Sequence, residues 1–246
     1  MQRYFIQLSY NGFAFVGWQK QPCGVTVQGE LEKALTTLLR TNVEVVGAGR
    51  TDTGVHASYY IAHFDLPLAI DHPDNVVFHL NRILPYEIAV QKIFPVPANK
   101  HARFDAVLRT YKYVITTEKN PFAKTLQWHT HFLLDIEKMN QAASLLTKHE
   151  DYTSFCKLHG NNITNICHVK EAFWTKINNE IIFTISADRF LRNMVRAIVG
   201  TLVDVGRGKI EVADFEKIIL TKNRNAASAS APAHGLYLVN IQYDFF

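Results

Sequence analysis

The segment Gly49-Arg50-Thr51-Asp52-Thr53-Gly54-Val55-His56 sets a carboxylate two residues from a guanidinium, between two glycines. Glycines on both sides let the backbone turn sharply and let a ligand come close. A neighbouring positive charge favours an ionised Asp52, the state that a nucleophile or a base needs. The same string also reads as a glycine-rich turn whose Asp caps the backbone. Asp52-Thr53-Gly54 matches the short signature of the aspartic proteases, whose chemistry needs two carboxylates sharing one proton. This chain has one Asp-Thr-Gly, and Arg50-Thr51 stand where a hydrophobic pair normally precedes it.

Three further stretches could carry chemistry. In Phe190-Leu191-Arg192-Asn193-Met194-Val195-Arg196, a helix would align Arg189, Arg192 and Arg196 at i, i+3 and i+7 as one stripe. Such a stripe could bind phosphates, hold a carboxylate bidentately, or be a solvated face. His101-Ala102-Arg103-Phe104 is followed by Arg109-Thr110-Tyr111-Lys112-Tyr113, where Arg109, Tyr111 and Tyr113 share one face of a strand. Cations interleaved with rings suit unpaired nucleic acid, and they also suit an amphipathic strand with half-buried rings. Cys156 and His159, with Cys167 and His168, contain the atoms of a tetrahedral zinc site. Adjacent residues of a strand face opposite ways, which argues against Cys167 and His168 acting together, and no metal is expected.

Composition bounds these readings. The chain has 246 residues, 48% of them hydrophobic and 20% charged, so it can bury a real core. A net charge of +4 permits a polyanionic partner without demanding one. Three scattered cysteines argue against a disulfide scaffold. Met1-Gln2-Arg3-Tyr4-Phe5-Ile6 reads as a strand rather than a signal segment. No apolar run approaches the roughly 18 residues of a membrane span. A cytoplasmic protein with no membrane association is expected.

The elements that must position these residues follow from periodicity. Residues 3–10 alternate as a strand, and Thr26 can cap a helix carrying Leu31, Ala34, Leu35, Leu38 and Leu39 on one face. Val43–Val46 reads as a short strand leading into the Asp52 loop. Tyr59–Phe64 is a strand, Asn75–Asn81 a helix closed by Leu84-Pro85, and Ile88–Phe94 a strand. Pro95 to Asn99 reads as a crossover between two lobes, 1–99 and 100–246. Beyond it come the Arg109–Ile115 strand, a helix capped by Asp135, a strand at Ile181–Ala187, a long helix from about Arg189 to Asp204 and a shorter one near Val212–Leu220. An Ala/Ser-rich loop at 226–233 then leads to a closing strand at Leu236–Tyr243. The pattern is α+β.

Together these stretches resemble the tRNA pseudouridine synthase A (TruA) family. The matching motifs run in order over essentially the whole chain. They are Tyr10-Asn11-Gly12 with Gly17-Trp18-Gln19, Thr26-Val27-Gln28-Gly29, Arg50 to His56, Asn81 with Leu84-Pro85, His101 to Phe104, Arg109-x-Tyr111-x-Tyr113, Phe190 to Arg196, and Gly235-Leu236-Tyr237-Leu238. Asn11, Lys100 and Glu87 depart from the family pattern, where Asp, an aromatic residue and Asp are usual.

The resemblance implies a pseudouridine synthase fold: two α+β halves related by a pseudo-twofold, with a mixed central sheet and an active-site cleft. It implies that Asp52 is the catalytic carboxylate, that Tyr111 packs on the target base and that Arg196 pairs with the carboxylate. Arg50 would help displace the uridine, and Leu236 would line the uracil pocket. Arg192, His101, Arg103 and Arg109 are further candidates for contacting substrate. The family substrate is uridine at positions 38, 39 and 40 of the tRNA anticodon arm, no cofactor is used, and members act as homodimers.

Overall fold

The computed structural model describes residues 1–157 and 163–246. They form two compact units, residues 1–107 with 238–246 and residues 108–237. The sequence reading places the division at 99/100. In the structure the chain from Pro97 to Val107 packs with the first unit, where the Tyr243 hydroxyl donates to the Ala102 carbonyl at 2.5 Å.

In the first unit, β1 (Gln2–Tyr10), α1 (Val27–Leu39), β2 (Val46–Gly47), β3 (His56–Leu66), α2 (Pro73–Ile83) and β4 (Ile88–Val96) follow in turn. The sheet runs β4-β1-β3, all antiparallel. Alternation buries Tyr4, Ile6, Leu8 and Tyr10, and Phe5 on the other face is buried too, so β1 is a central strand covered on both sides. Pro95 and Val96, expected in a crossover, are the last residues of β4. That strand ends the sheet order, where a proline is tolerated.

Thr26 caps α1, its Oγ1 accepting from the Gly29 amide at 3.2 Å. Leu31, Ala34 and Leu35 are buried as expected, and so is Glu32 on the same side. The Glu32 carboxylate accepts from the Val45 amide at 3.1 Å, from Gln28 Nε2 at 3.0 Å and from Lys20 Nζ at 3.0 Å. Gln28 Nε2 also donates to the Val45 carbonyl at 2.9 Å. The expected strand at 43–46 therefore shrinks to Val46–Gly47, because side chains of α1 take the hydrogen bonds a ladder would use.

In the second unit, β5 (Ala106–Thr116, entering from the first unit) pairs in parallel with β6 (Trp128–His129) and antiparallel with the later β8. Next come α3 (Ile136–Leu145), β7 (Val169–Ile177), β8 (Glu180–Ala187), α4 (Met194–Gly206) and α5 (Val212–Thr221). The closing strand β9 (Leu236–Tyr243), which passes into the first unit at Leu238, coincides with its expected span. Asp135 caps α3 by accepting from the Lys138 amide at 3.0 Å. Strand β7, which the sequence reading passed over, forms a hairpin with β8 through Asn178-Asn179, with Asn178 at φ 53°. Asn is a residue that tolerates this left-handed conformation. The architecture is α+β, and no helix of the described residues is long and apolar enough to cross a membrane.

Removing the Glu32 carboxylate strands the Val45 amide. Glu32→Ala is expected to lower unfolding free energy by about 2 kcal/mol, and Glu32→Gln, which keeps an acceptor, by less than half of that. Urea denaturation with unchanged m-values measures both; equal losses would show that the loss comes from the charge rather than from the amide's lost acceptor.

Candidate active site

The Asp52 loop is clamped from behind by the turn that follows β1. The Tyr10 hydroxyl and Thr51 Oγ1 are hydrogen-bonded at 2.9 Å, and the Trp18 amide donates to the Thr51 carbonyl at 3.2 Å. The Gly12 amide donates to His56 Nδ1 at 3.0 Å, so this ring is in the tautomer with its proton on Nε2. His56 is only 1% exposed. The Val55 amide donates to the Asp52 carbonyl at 3.1 Å, closing a tight turn with Gly54 at φ 79°. Asp52 itself is half-buried and Thr53 exposed. The turn is thus closed by backbone and backed by side chains.

Two glycines make the clamp possible. A Cβ on Gly12 would lie 1.9 Å from the Val55 carbonyl oxygen, and one on Gly17 would lie 2.6 Å from that of Thr51. Gly17 also sits at φ 99°, where a side chain is strained. Behind them Trp18 stacks on Tyr60 at 4.0 Å, and the Tyr60 hydroxyl donates to the Gly49 carbonyl. Sequence reading singled out the motif but not Tyr10, Trp18, His56 and Tyr60 as its supports.

Arg50 and Arg103, distant in sequence, line one cavity of about 130 Å³ together with Trp18, Gln19, Gly47 and Gly49. Arg50 Nε donates to Gln19 Oε1 at 3.2 Å. Arg103 is carried by a loop held at every residue. The Ala102 amide donates to His63 Nδ1 at 3.1 Å. His101 Nδ1 accepts from the amides of Arg103 at 3.0 Å and Phe104 at 3.3 Å, while the His101 amide donates to Asp105 at 2.7 Å. His101, a candidate for touching substrate, thus commits Nδ1 to its own loop. Arg3 grips Asp65 bidentately, at 2.8 and 2.7 Å, and donates to the Lys100 carbonyl at 2.8 Å. Lys100, where the resemblance leads one to expect an aromatic residue, places its ammonium over the Phe245 ring at 4.4 Å.

Burial, aided by Arg3 and His101, pushes the His63 imidazolium down to about 4, against the opposing pull of Asp65. Burial is also the main cause lowering His101, with Arg3 next. Both rings therefore accept hydrogen bonds as neutral imidazoles near pH 7.

In the second unit, β5 puts Arg109, Tyr111 and Tyr113 on one face. Arg109 Nη1 donates to the Asp188 carbonyl at 2.7 Å. Half-buried Tyr111 meets Phe190 edge-on, centroids 5.1 Å apart. Leu236 is buried at the start of β9. The expected arginine stripe does not form. Asn193 adopts φ 67° and α4 begins at Met194, so Arg189 and Arg192 lie in the turn before the helix and Arg196 alone lies on it. The Asp188 carboxylate accepts from the amides of Arg189 and His168, holding this turn off the helix. Arg192 is exposed, whereas Arg196 is half-buried with Nε donating to the Ala231 carbonyl at 2.8 Å.

Of the four possible zinc ligands, His159 lies outside the described residues. Burial pushes the Cys167 thiol up to about 12, so it stays protonated at neutral pH. His168 is exposed and reaches Glu150 at 3.4 Å.

The model of a tRNA pseudouridine synthase family matches residues 7–105 and 142–244. A tRNA pseudouridine synthase A from Bacteroides fragilis is 54% identical, over 99% of this chain and 97% of its own. Its counterpart from Bacteroides thetaiotaomicron is 53% identical over 99% and 91%. That from Bacillus subtilis is 41% identical over 96% and 97%.

The depressed His63 sets a pH dependence. The unfolded chain, with an ordinary histidine near 6.5, takes up a proton before the native state does. Stability therefore rises with pH through this window and is lost as pH falls from about 6.5 toward 4. In urea titrations between pH 7 and 5, wild type should lose more stability than His63→Asn, which keeps an acceptor but does not titrate. Identical slopes would rule out His63 as the titrating group.

Proposed function

The chain belongs to the tRNA pseudouridine synthase family, and from that premise we propose that it converts uridine at positions 38, 39 and 40 of the tRNA anticodon stem-loop, with Asp52 as the catalytic carboxylate. It is an isomerase that turns uridine of tRNA into pseudouridine. The N1–C1′ bond breaks, the uracil rotates and C5 joins C1′. Nothing is oxidised and no water is consumed, so the proposed site needs an ionised carboxylate, a grip on the base and a basic path for the backbone, and no cofactor.

The observation that carries the assignment of Asp52 is the construction of its loop. Tyr10, Trp18, His56 and two close-packed glycines fix the flanking backbone. Fixed geometry is what turns a carboxylate into a catalyst. It starts the exchange by attacking sugar or base or by taking a sugar proton. The target base must first leave its stack, at a cost of a few kcal/mol. In our reading Arg50 assists that displacement, Tyr111 packs on the released base and Leu236 lines the uracil pocket. Arg196 grips the Asp52 carboxylate. Arg103, together with Arg50 beside the same cavity, meets RNA phosphate; Arg192, Arg109 and His101 complete the substrate contacts. We propose that the enzyme acts in the cytoplasm as a homodimer.

Mixing the protein with unmodified tRNA carrying 5-tritiated uridine tests the activity: released tritium marks a synthase, tRNA binding without release marks a non-catalytic RNA-binding protein, and cleavage of a peptide would restore the acid-protease reading. Asp52→Asn keeps the shape and removes the charge. It should abolish release while tRNA affinity stays within a few fold. Turnover by the rigorously purified variant would falsify the assignment.

Phosphate contacts from Lys and Arg should make affinity fall log-linearly with salt, each lost phosphate contact lowering the slope by about one. Filter binding between low and physiological salt measures it, and a flat titration would count against the basic cavity as an RNA contact.

A further inference from the structure

The Ala/Ser-rich segment before β9 looks featureless in sequence, yet it docks against one residue of α4 from two sides. Arg196 Nε donates to the Ala231 carbonyl at 2.8 Å, and the Ala231 amide donates to the Arg196 carbonyl at 2.9 Å. Asn193 Nδ2 donates to Ser230 Oγ at 2.6 Å. One turn along the helix, Gly200 permits the approach: a Cβ there would lie 2.0 Å from the Ala229 carbonyl oxygen.

The next link leaves the helix. The Pro232 carbonyl, adjacent to that of Ala231, accepts from the Tyr113 hydroxyl at 2.7 Å. Tyr113 is fully buried in the middle of β5. Gly235 presses on its ring, where a Cβ would come 2.7 Å from Cζ. Burial holds the Tyr113 phenol far above its ordinary value, so it remains a hydrogen-bond donor. Arg196 is close enough to oppose that shift and to help lower His234. Tyr113 also lies two residues from Tyr111 on the same strand face.

We infer that Tyr113 is a positioning residue for the reaction: its hydroxyl fixes the Ala231–Pro232 carbonyls, these fix the plane of the Arg196 guanidinium through Nε, and the strand of Tyr113 ties that plane to Tyr111. The inference rests on the proposed role of Arg196. With Nε engaged, it is the Nη1–Nη2 end of the fork that the proposed pairing with Asp52 would use. A lysine has neither the anchoring Nε nor the planar fork.

A double-mutant cycle on the full-length protein tests this. Single-turnover tritium release is measured for wild type, Tyr113→Phe, Arg196→Lys and the double variant, with tRNA affinity and thermal midpoint alongside. Arg196→Lys should slow release at least roughly tenfold and Tyr113→Phe about fivefold, both with nearly unchanged tRNA affinity, the loss of transition-state stabilisation alone. Because both act through one guanidinium, the double variant should be no slower than Arg196→Lys by more than about twofold. If Tyr113→Phe runs at the wild-type rate, or if the two losses multiply, Tyr113 does not act through Arg196 and the inference is overturned while the role of Arg196 stands. If Arg196→Lys itself runs at the wild-type rate, the role of Arg196 falls and takes the inference with it. Should Tyr113→Phe fail to fold, Gly235→Ala, which drives a methyl against the Tyr113 ring, replaces it with the same expectations.

Discussion

There is no room for a methyl group between Gly12 and the Val55 carbonyl, or between Gly17 and the Thr51 carbonyl. The construction of the Asp52 loop follows from those two close approaches. They bring the turn after β1 against both sides of Asp52. Its Tyr10 hydroxyl and its Gly12 and Trp18 amides then find partners in Thr51 and His56 that they would otherwise miss. A buried amide without a partner is costly, so each hydrogen bond holds the close approach in place as much as the approach creates the bond. The stacked Trp18 and Tyr60 rings fill the volume behind. Catalysis by a single carboxylate asks for this kind of support, because a small misplacement of the reacting group sacrifices much of the gain from orientation.

The second unit meets the same demand with different parts. Helix α4 is buried on almost every side, so its apolar residues fix its axis but do not choose the direction of a long side chain at its first turn. That direction is held by the Ala231 carbonyl, in a segment with no regular structure. Small residues are what let the segment lie against the helix, which is why its composition is rich in Ala and Ser rather than in charged or aromatic residues. A loop of bland composition here fixes the direction of a half-buried arginine.

Much of this was legible in the sequence wherever one local rule decided the outcome. Thr26 and Asp135 cap their helices, and Leu236–Tyr243 alternates as a strand, because capping and period-two burial act over a few residues. The motif around Asp52 and the family resemblance were likewise readable. The failures arose where a distant partner overrode local pattern. Val43–Val45 alternates like a strand, but Gln28 and Glu32 of α1 claim the Val45 backbone. Arg189–Asn193 continues the helical period in sequence, but the Asp188 carboxylate and the left-handed Asn193 keep it from the helix. Strand β7 carried a readable signal, the Asn178-Asn179 turn before an alternating run. By contrast, Tyr113 reaching Pro232 spans more than a hundred residues, and no local pattern announces it.

The polar groups described in the two units divide by exposure into two kinds with different physics. Tyr10, His56, His63 and Tyr113 are buried, and the hydrogen bonds described for them run mainly to backbone, at Gly12, Ala102 and Pro232, with Thr51 the exception. Their contribution is shape, and ions in solution screen it little. Arg50 and Arg103 are exposed beside one cavity, where a guanidinium attracts phosphate over a distance and salt weakens the attraction. In the proposed function their contribution is encounter and register. The two kinds meet at the His101–Phe104 loop, where a neutral buried histidine holds the backbone that carries an exposed arginine. Protonating His63 would take the acceptor from the Ala102 amide and loosen the loop that carries Arg103.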